Sequence, residues 1–98
     1  MAKSKVKSEA LPKDAFPVGG KFLIRTVTNY WTGEVVAVRD GFLILSTAAW
    51  IADTGRFSDA AKHGRLNEVE PVGGLVRVAI GSIVDAVEWT HALPTDQK

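Results

Sequence analysis

The fold is decided by residues 33–45, which read GEVVAVRDGFLIL. Two apolar runs flank Asp40-Gly41, and this dipeptide favours a tight turn because both residues tolerate a positive φ. β-branched and aromatic residues suit a pleated, half-buried strand. The stretch therefore predicts a β-hairpin with its turn at Asp40-Gly41, whose second strand runs toward Trp50-Ile51.

Three further strands are predicted around this hairpin. Residues 21–30 are rich in β-branched and aromatic residues and, with period two, place Phe22, Ile24, Thr26, Thr28 and Tyr30 on one predicted face. Apolar residues dominate residues 75–80 and 83–89, which Gly81-Ser82 separates. Five short strands with turn signals between them predict a mainly β fold, a five-stranded, strongly bent antiparallel small barrel.

One helical excursion interrupts the strand pattern between the third and fourth predicted strands, over residues 51–74. Ser58 is suited to cap a short helix at its N-terminus, and Gly64 is placed to end it. Large aromatic residues dominate small cores, so we expect Trp50 and Phe57 to anchor this excursion on the barrel and Trp89 to cap the barrel's mouth.

Composition and charge narrow the function classes. The 98 residues carry a net charge of +1 and contain no cysteine, which excludes disulfides, zinc ribbons and thiol catalysis. The N-terminus lacks the apolar core of a signal peptide, and no apolar run reaches the ~18–20 residues that span a bilayer, so we expect no membrane contact. The predicted organisation is a flexible basic tail over residues 1–17, a barrel over 18–90 and a flexible tail over 91–98.

The hairpin and the later stretch VRVAIGSIV, at residues 76–84, resemble the Sm-like small β-barrel family. Gly33, Asp40 and Leu45 stand in places similar to the family's first signature, and Ile80-Gly81-Ser82-Ile83 resembles its second. The resemblance implies an SH3-like barrel that assembles into rings by pairing its last two strands between copies. The layout is also similar to that of small uncharacterised phage and prophage proteins, which implies the host cytoplasm or the virion as location.

The family's RNA site is not reproduced in this sequence. Val76, Val78 and Gly81 stand where the bacterial branch has Tyr, His and Ser, and Leu43 lies near the expected base-reading Asn. Reading a base edge requires hydrogen-bonding groups beside a stacking ring, which valine does not supply. The resemblance therefore concerns the fold and the assembly, and fold alone does not confer function.

Of the properties that the resemblance implies, self-association is the one best supported by the residues of this sequence. Unpaired strand edges must be capped, charged or paired, and the fourth predicted strand has no proline or lysine to protect it. The predicted oligomer edge consists of Val76, Val78, Ile80, Val84 and Val87. The alternative is that residues 51–74 cover this edge within the same chain.

A binding surface is predicted from Tyr30 and Trp31, together with Arg25 and Arg77. Consecutive strand residues point to opposite faces, so at least one of the two rings should face solvent or a partner. Nucleic acid is the alternative partner, bound by this surface and by Lys3, Lys5 and Lys7 of the tail.

Catalytic chemistry has one weak signal, the Asp53-Thr54-Gly55 motif of aspartic proteases. Those enzymes place the motif early in the chain, whereas here it follows three predicted strands and only residues 56–98 remain after it. An Asx-type turn at the end of a strand is the simpler interpretation. His63 and His91 are far apart in sequence, and no pattern indicates a metal or a cofactor.

These observations lead to one main hypothesis and two alternatives. The main hypothesis is a non-enzymatic, self-associating small β-barrel that forms a ring or serves as a structural and interaction module. The first alternative is a nucleic-acid-binding protein, and the remote one is a homodimeric aspartic protease.

Overall fold

The structure, a computed structural model, describes residues 13–98. Its elements are β1 (Lys21–Thr26), β2 (Tyr30–Arg39), β3 (Phe42–Asp53), α1 (Phe57–His63), β4 (Glu68–Pro71), β5 (Val76–Ala79), a 3₁₀ turn (Ile80–Ser82) and β6 (Ile83–Glu88). The strands form one antiparallel sheet in the order β4-β3-β2-β1-β6, and β5 pairs with β3. The predicted mainly β, antiparallel fold with one short helix is confirmed.

The strand count was predicted wrongly, because the sheet has six strands rather than five. The additional strand is β4, which lies within the predicted excursion and pairs with the second half of β3. Within residues 13–98, β5 and β6 do not pair with each other, so the sheet is not closed into a cylinder.

The β2–β3 hairpin has the predicted turn. Arg39 pairs with Phe42, and Asp40 and Gly41 between them have φ values of 55° and 81°. Two positive φ values define the mirror-image turn whose twist matches that of paired strands. The local sequence therefore fixes both the position and the handedness of this turn.

A bulge divides the hairpin into two halves. Opposite Gly33 the register shifts, and Thr47 in the extra segment of β3 has a φ of 48°. A Cβ on Gly33 would lie 3.0 Å from the Cβ of Leu45, closer than ordinary van der Waals contact, so glycine lets the strands approach this closely without displacing Leu45. β3 changes partner at this bulge, from β5 over residues 42–45 to β4 over residues 49–53.

The bulge also separates two hydrophobic cores on opposite faces of the sheet. The inner core comprises Phe22, Ile24, Val35, Leu43, Leu45, Ala48 and Val78. The helix-side core comprises Leu23, Ala49, Ile51, Ala60, Leu66, Val69 and Trp89. Phe22, Leu23 and Ile24 are all buried, so β1 contributes side chains to both cores.

Two predicted boundaries were wrong. Helix α1 begins at Phe57 with Arg56 as its N-cap, and Ser58 lies inside the helix, whereas the predicted end at Gly64 is confirmed by its left-handed φ of 72°. The first strand ends at Thr26 instead of continuing to Tyr30. The hydroxyl of Thr26 accepts hydrogen bonds from the backbone N–H groups of Thr28 and Asn29, which reverses the chain there.

The C-terminal segment, residues 89–98, crosses the helix-side core. Trp89 is buried against that core rather than at a barrel mouth, and its indole N–H donates to the carbonyl of Ala92. Lys98 exchanges two backbone hydrogen bonds with Val69, of 3.0 and 3.2 Å. The ring of His91 lies 2.9 Å from the carbonyl of Ala61. Residues 91–98, which the sequence suggests are a flexible tail, thus have defined contacts with β4 and α1.

The segment before β1 also contacts the sheet. Phe16 packs edge-on against Phe22, with ring centroids 5.1 Å apart, and borders the inner core. The N–H of Gly19 donates to the carbonyl of Val35 at 2.8 Å. Within the stretch predicted as an N-terminal tail, Phe16 therefore has a defined contact with the sheet.

Candidate interaction surfaces

The four predicted binding residues lie in three separate places. Arg25 on β1 and Tyr30 on β2 are direct cross-strand partners, so their side chains share a face. Trp31 pairs with Ile24 on the opposite face and packs partly against the inner core. Arg77 is on β5, opposite Ile44. The structure therefore places Arg25 and Tyr30 side by side on one surface, and Trp31 and Arg77 lie elsewhere.

Arg25 and Tyr30 line a cavity to which the first residue of α1 also contributes. This aromatic cavity has a volume of about 240 Å³ and is lined by Arg25, Tyr30, Phe57 and Asp85. A second concavity of about 330 Å³ shares Arg25 and Tyr30 and extends along the β1–β2 turn to Ile51 and Ala52. Two aromatic residues and one ion pair thus border a recess that is open to solvent.

The ion pair joins β1 to β6. The Nε of Arg25 lies 3.2 Å from each carboxylate oxygen of Asp85, and Nη2 donates to Oδ2 as well. The hydrogen bond from Arg25 lowers the pKa of Asp85, and the same bond raises the pKa of Arg25. Both side chains are solvent-exposed, so the pair orients the guanidinium more than it stabilises the fold.

Phe57 has a different position from the predicted one. Its side chain is 45% exposed, and Trp50 is 43% exposed, so neither is buried as an anchor between the excursion and the sheet. The residue of α1 that is buried is Ala60, because the small methyl group lets the helix approach β-strand residues closely. Phe57, three residues earlier, lies beside the aromatic cavity instead.

The surface of α1 and its flanks is basic. Arg56, Lys62 and Arg65 are exposed, and Asp59 is the one carboxylate in residues 56–65. The nearest contact between Asp59 and Arg65 is 3.9 Å, at the limit of an ion pair. Residues 13–98 as a whole contain nine Lys and Arg against ten Asp and Glu, so this basic surface is a local concentration of charge. The tail lysines Lys3, Lys5 and Lys7 lie outside the described residues.

The predicted oligomer edge is partly exposed. Ile80 and Val84 are 37% and 54% exposed, whereas Val78 is buried in the inner core. Val76 packs against the inner core and Val87 against the helix-side core. β5 pairs only with β3 and β6 only with β1 among the strands of residues 13–98, so each presents a second, unpaired edge.

The Asp53-Thr54-Gly55 motif forms an Asx turn. The N–H of Gly55 donates to Oδ1 of Asp53 at 2.8 Å, and the amide of Asn67 donates to Oδ2 at 3.3 Å. Thr54 is buried, and its hydroxyl donates to the carbonyl of Gly55. Both carboxylate oxygens of Asp53 are thus engaged in holding the connection between β3 and β4.

Residues 13–98 contain no group of three or more His, Asp or Glu side chains arranged to hold a metal ion. None of their helices has the length and hydrophobicity that crossing a membrane requires.

Comparison with models of known protein families and with curated proteins finds no match to this chain.

Proposed function

We propose that this protein is a non-catalytic, self-associating small β-barrel module, in which β5 of one copy pairs with β6 of the next. The observation that carries the proposal is the pair of strands with one unpaired edge each, described above for residues 13–98. Unpaired edges are templates for another strand, and proteins either protect them or use them. The barrel itself is also part of this proposal, since β5 and β6 of the same copy do not pair within residues 13–98.

The charges of the two edges are complementary. β5 contains Arg77 and no acidic residue. β6 contains no basic residue and two acidic ones, Glu88 and Asp85, of which Asp85 is already paired with Arg25 in the same copy. Opposite charges across paired strands are favourable, and like charges are unfavourable. Pairing β5 with a second β5 would bring Arg77 close to its copy, so the charges favour β5 with β6. Such a heterologous contact closes into a ring or continues as a filament.

Exposed apolar residues at the ends of these strands support the same contact. Leu75 precedes β5 with 52% exposure, and Val84 on β6 is 54% exposed. Burying such side chains between copies contributes about 25 cal/mol per Å² of apolar surface. Neither strand carries the lysine or proline that commonly protects an edge.

Light scattering on a sizing column tests the proposal. The wild-type protein should elute with a discrete mass that is a multiple of 10.5 kDa. Val84→Lys places a charge on the β6 edge and should reduce this mass to that of the monomer. Val18→Lys, at a residue that is 75% exposed before β1, is the matched control and should leave the mass unchanged. A wild-type protein that stays monomeric at high concentration would refute self-association.

Charge reversal tests the pairing of β5 with β6. Arg77→Glu should weaken the assembly, because the introduced carboxylate would face the carboxylates of β6 in the neighbouring copy. Adding Glu88→Arg to the same chain should restore part of the mass. An assembly insensitive to both changes would mean that other surfaces join the copies.

A further inference from the structure

We propose that the aromatic cavity and the adjoining surface of α1 bind single-stranded nucleic acid. One unpaired base would enter the cavity beside Tyr30 and Phe57, and the neighbouring phosphates would contact Arg56, Lys62 and Arg65. The cavity includes Asp85 of β6, but its lining residues all belong to one copy, so the site does not depend on the proposed self-association.

The cavity has the size and lining for one planar ring system. Its volume of about 240 Å³ lies below the ~300–1,000 Å³ typical of pockets for drug-sized ligands. Tyr30 and Phe57 supply aromatic surface, and the flat guanidinium of Arg25 supplies a third stacking element held in place by Asp85. Stacking on aromatic and arginine planes tolerates any base sequence, because every base has a π-face.

Because of the ion pair between Arg25 and Asp85, the cavity suits the base of a nucleotide better than its phosphate. Asp85 compensates the positive charge of Arg25, and its own negative charge would repel a phosphate. An uncharged ring therefore suits the cavity better than an anion does. Since a base in a duplex is already stacked and paired, only an unpaired base can enter.

The cations for the phosphates lie outside the cavity, along α1. Arg56 directly precedes Phe57, and Arg65 follows Gly64 at the helix end. Lys62 is two residues beyond the buried Ala60, which turns it to the solvent side of the helix. Exposed cations on and around the helix whose first residue lines the recess match the combination of basic and stacking groups that is usual in sites for single strands.

The experiment is fluorescence anisotropy with labelled oligothymidylate and oligouridylate on the full chain. Duplex DNA and phosphatidylserine vesicles are the comparison probes. We expect binding to the single strands that falls steeply between low and moderate salt, because phosphate contacts release counterions. Binding to duplex DNA should be weaker than to either single strand.

Paired variants then locate the site. Phe57→Leu keeps an apolar side chain but removes the ring, and it should weaken binding about tenfold to a hundredfold. Trp50→Leu is the matched control, since Trp50 is similarly exposed but pairs with Glu70 on β4. The double variant Arg56→Gln with Lys62→Gln should reduce both the affinity and its salt dependence, whereas Lys13→Gln with Arg39→Gln should change them less. Circular dichroism and native mass confirm that each variant folds and assembles as the wild type does.

Several outcomes would overturn the proposal. One is the absence of binding to both single strands at low salt, and another is equal or tighter binding to the duplex or the vesicles. A third is binding that Lys3→Gln, Lys5→Gln and Lys7→Gln together abolish while Phe57→Leu leaves it unchanged. That result would assign nucleic-acid contact to the tail.

Discussion

Two adjacent residues in the left-handed region of the backbone, Asp40 and Gly41, form the β2–β3 turn. A non-glycine residue in this region costs about 1–2 kcal/mol, and Asp40 already occupies it at a φ of 55°. Gly41 has a φ of 81°, so it also occupies the left-handed region. A Cβ added to Gly41 would have no atom within 4 Å, so a side chain there would meet no steric clash. Any substitution at Gly41 therefore tests the backbone conformation separately from packing.

Gly41→Ala should lower the free energy of unfolding by about 1–2 kcal/mol, the cost of placing an alanine in the left-handed region. Gly74→Ala is the control, because Gly74 has equally open surroundings but no positive φ. That change should be neutral or slightly stabilising, since alanine restricts the unfolded chain. Urea unfolding of both variants measures the difference, and equal effects would contradict the assignment of strain to the turn.

Single-residue features were predictable where they depend on local backbone chemistry. The sequence identifies Asp40-Gly41 as a turn, Gly64 as a helix end and Asp53-Thr54-Gly55 as an Asx turn, because each rests on neighbouring residues. The ion pair between Arg25 and Asp85 was not predictable, since sixty positions separate its partners. Tyr30 and Arg25, predicted as binding residues, line one recess, and Phe57 and Asp85 complete it only through tertiary structure.

At the scale of elements, β4 was missed because its sequence gives a weak strand signal. Residues 68–71 read EVEP, with one apolar strand former between two acidic residues and a proline. The strand exists because Val69 lies opposite Ile51 and completes the helix-side core. The start of α1 was predicted wrongly for a related reason. The burial of Ala60, rather than the capping preference of Ser58, determines where the helix lies.

The C-terminal segment supplies the second partner of β4, and this can be tested by hydrogen exchange. The N–H of Val69 donates to the carbonyl of Lys98, so deleting residues 94–98 removes its acceptor. We expect the Val69 amide to exchange about fivefold faster after the deletion, in keeping with the loss of a hydrogen bond worth about 1 kcal/mol. The amide of Val35, bonded to Gly20 on the far side of the sheet, should exchange as before.

An unchanged Val69 exchange rate would show that residues 94–98 behave in solution as the flexible tail that their polar composition suggests. Faster exchange at both amides would instead indicate global destabilisation by the deletion. The comparison of the two amides therefore separates local anchoring from a general loss of stability.

At the scale of the whole molecule, two cores share one set of strands. The alternating pattern of residues 21–30 predicts one buried and one exposed face, but β1 is buried on both faces in its first half. The sequence contains the reason in Phe22-Leu23-Ile24, three consecutive large apolar residues. What it does not show is that α1 and the C-terminal segment cover the second face, since those contacts are long-range.

Because β1, β2 and β3 pass through both cores, we expect them to unfold as one cooperative unit. Leu45 in the inner core and Ile51 in the helix-side core are both fully buried on β3. Leu45→Ala and Ile51→Ala should each lower the free energy of unfolding by about 2–5 kcal/mol. Circular dichroism follows the sheet, and the indole N–H resonance of Trp89 reports on the helix-side core alone.

The two signals should give the same urea midpoint in the wild type and in each variant, because a cavity in either core weakens strands that the other core requires. If Leu45→Ala shifted the midpoint of circular dichroism and left the Trp89 resonance at its original midpoint, the cores would be independent units. Coincident midpoints would instead mean that any partner bound at the aromatic cavity, which adjoins the helix-side core, stabilises the β5 and β6 edges as well. Assembly and ligand binding would then be coupled through the shared stability of one sheet.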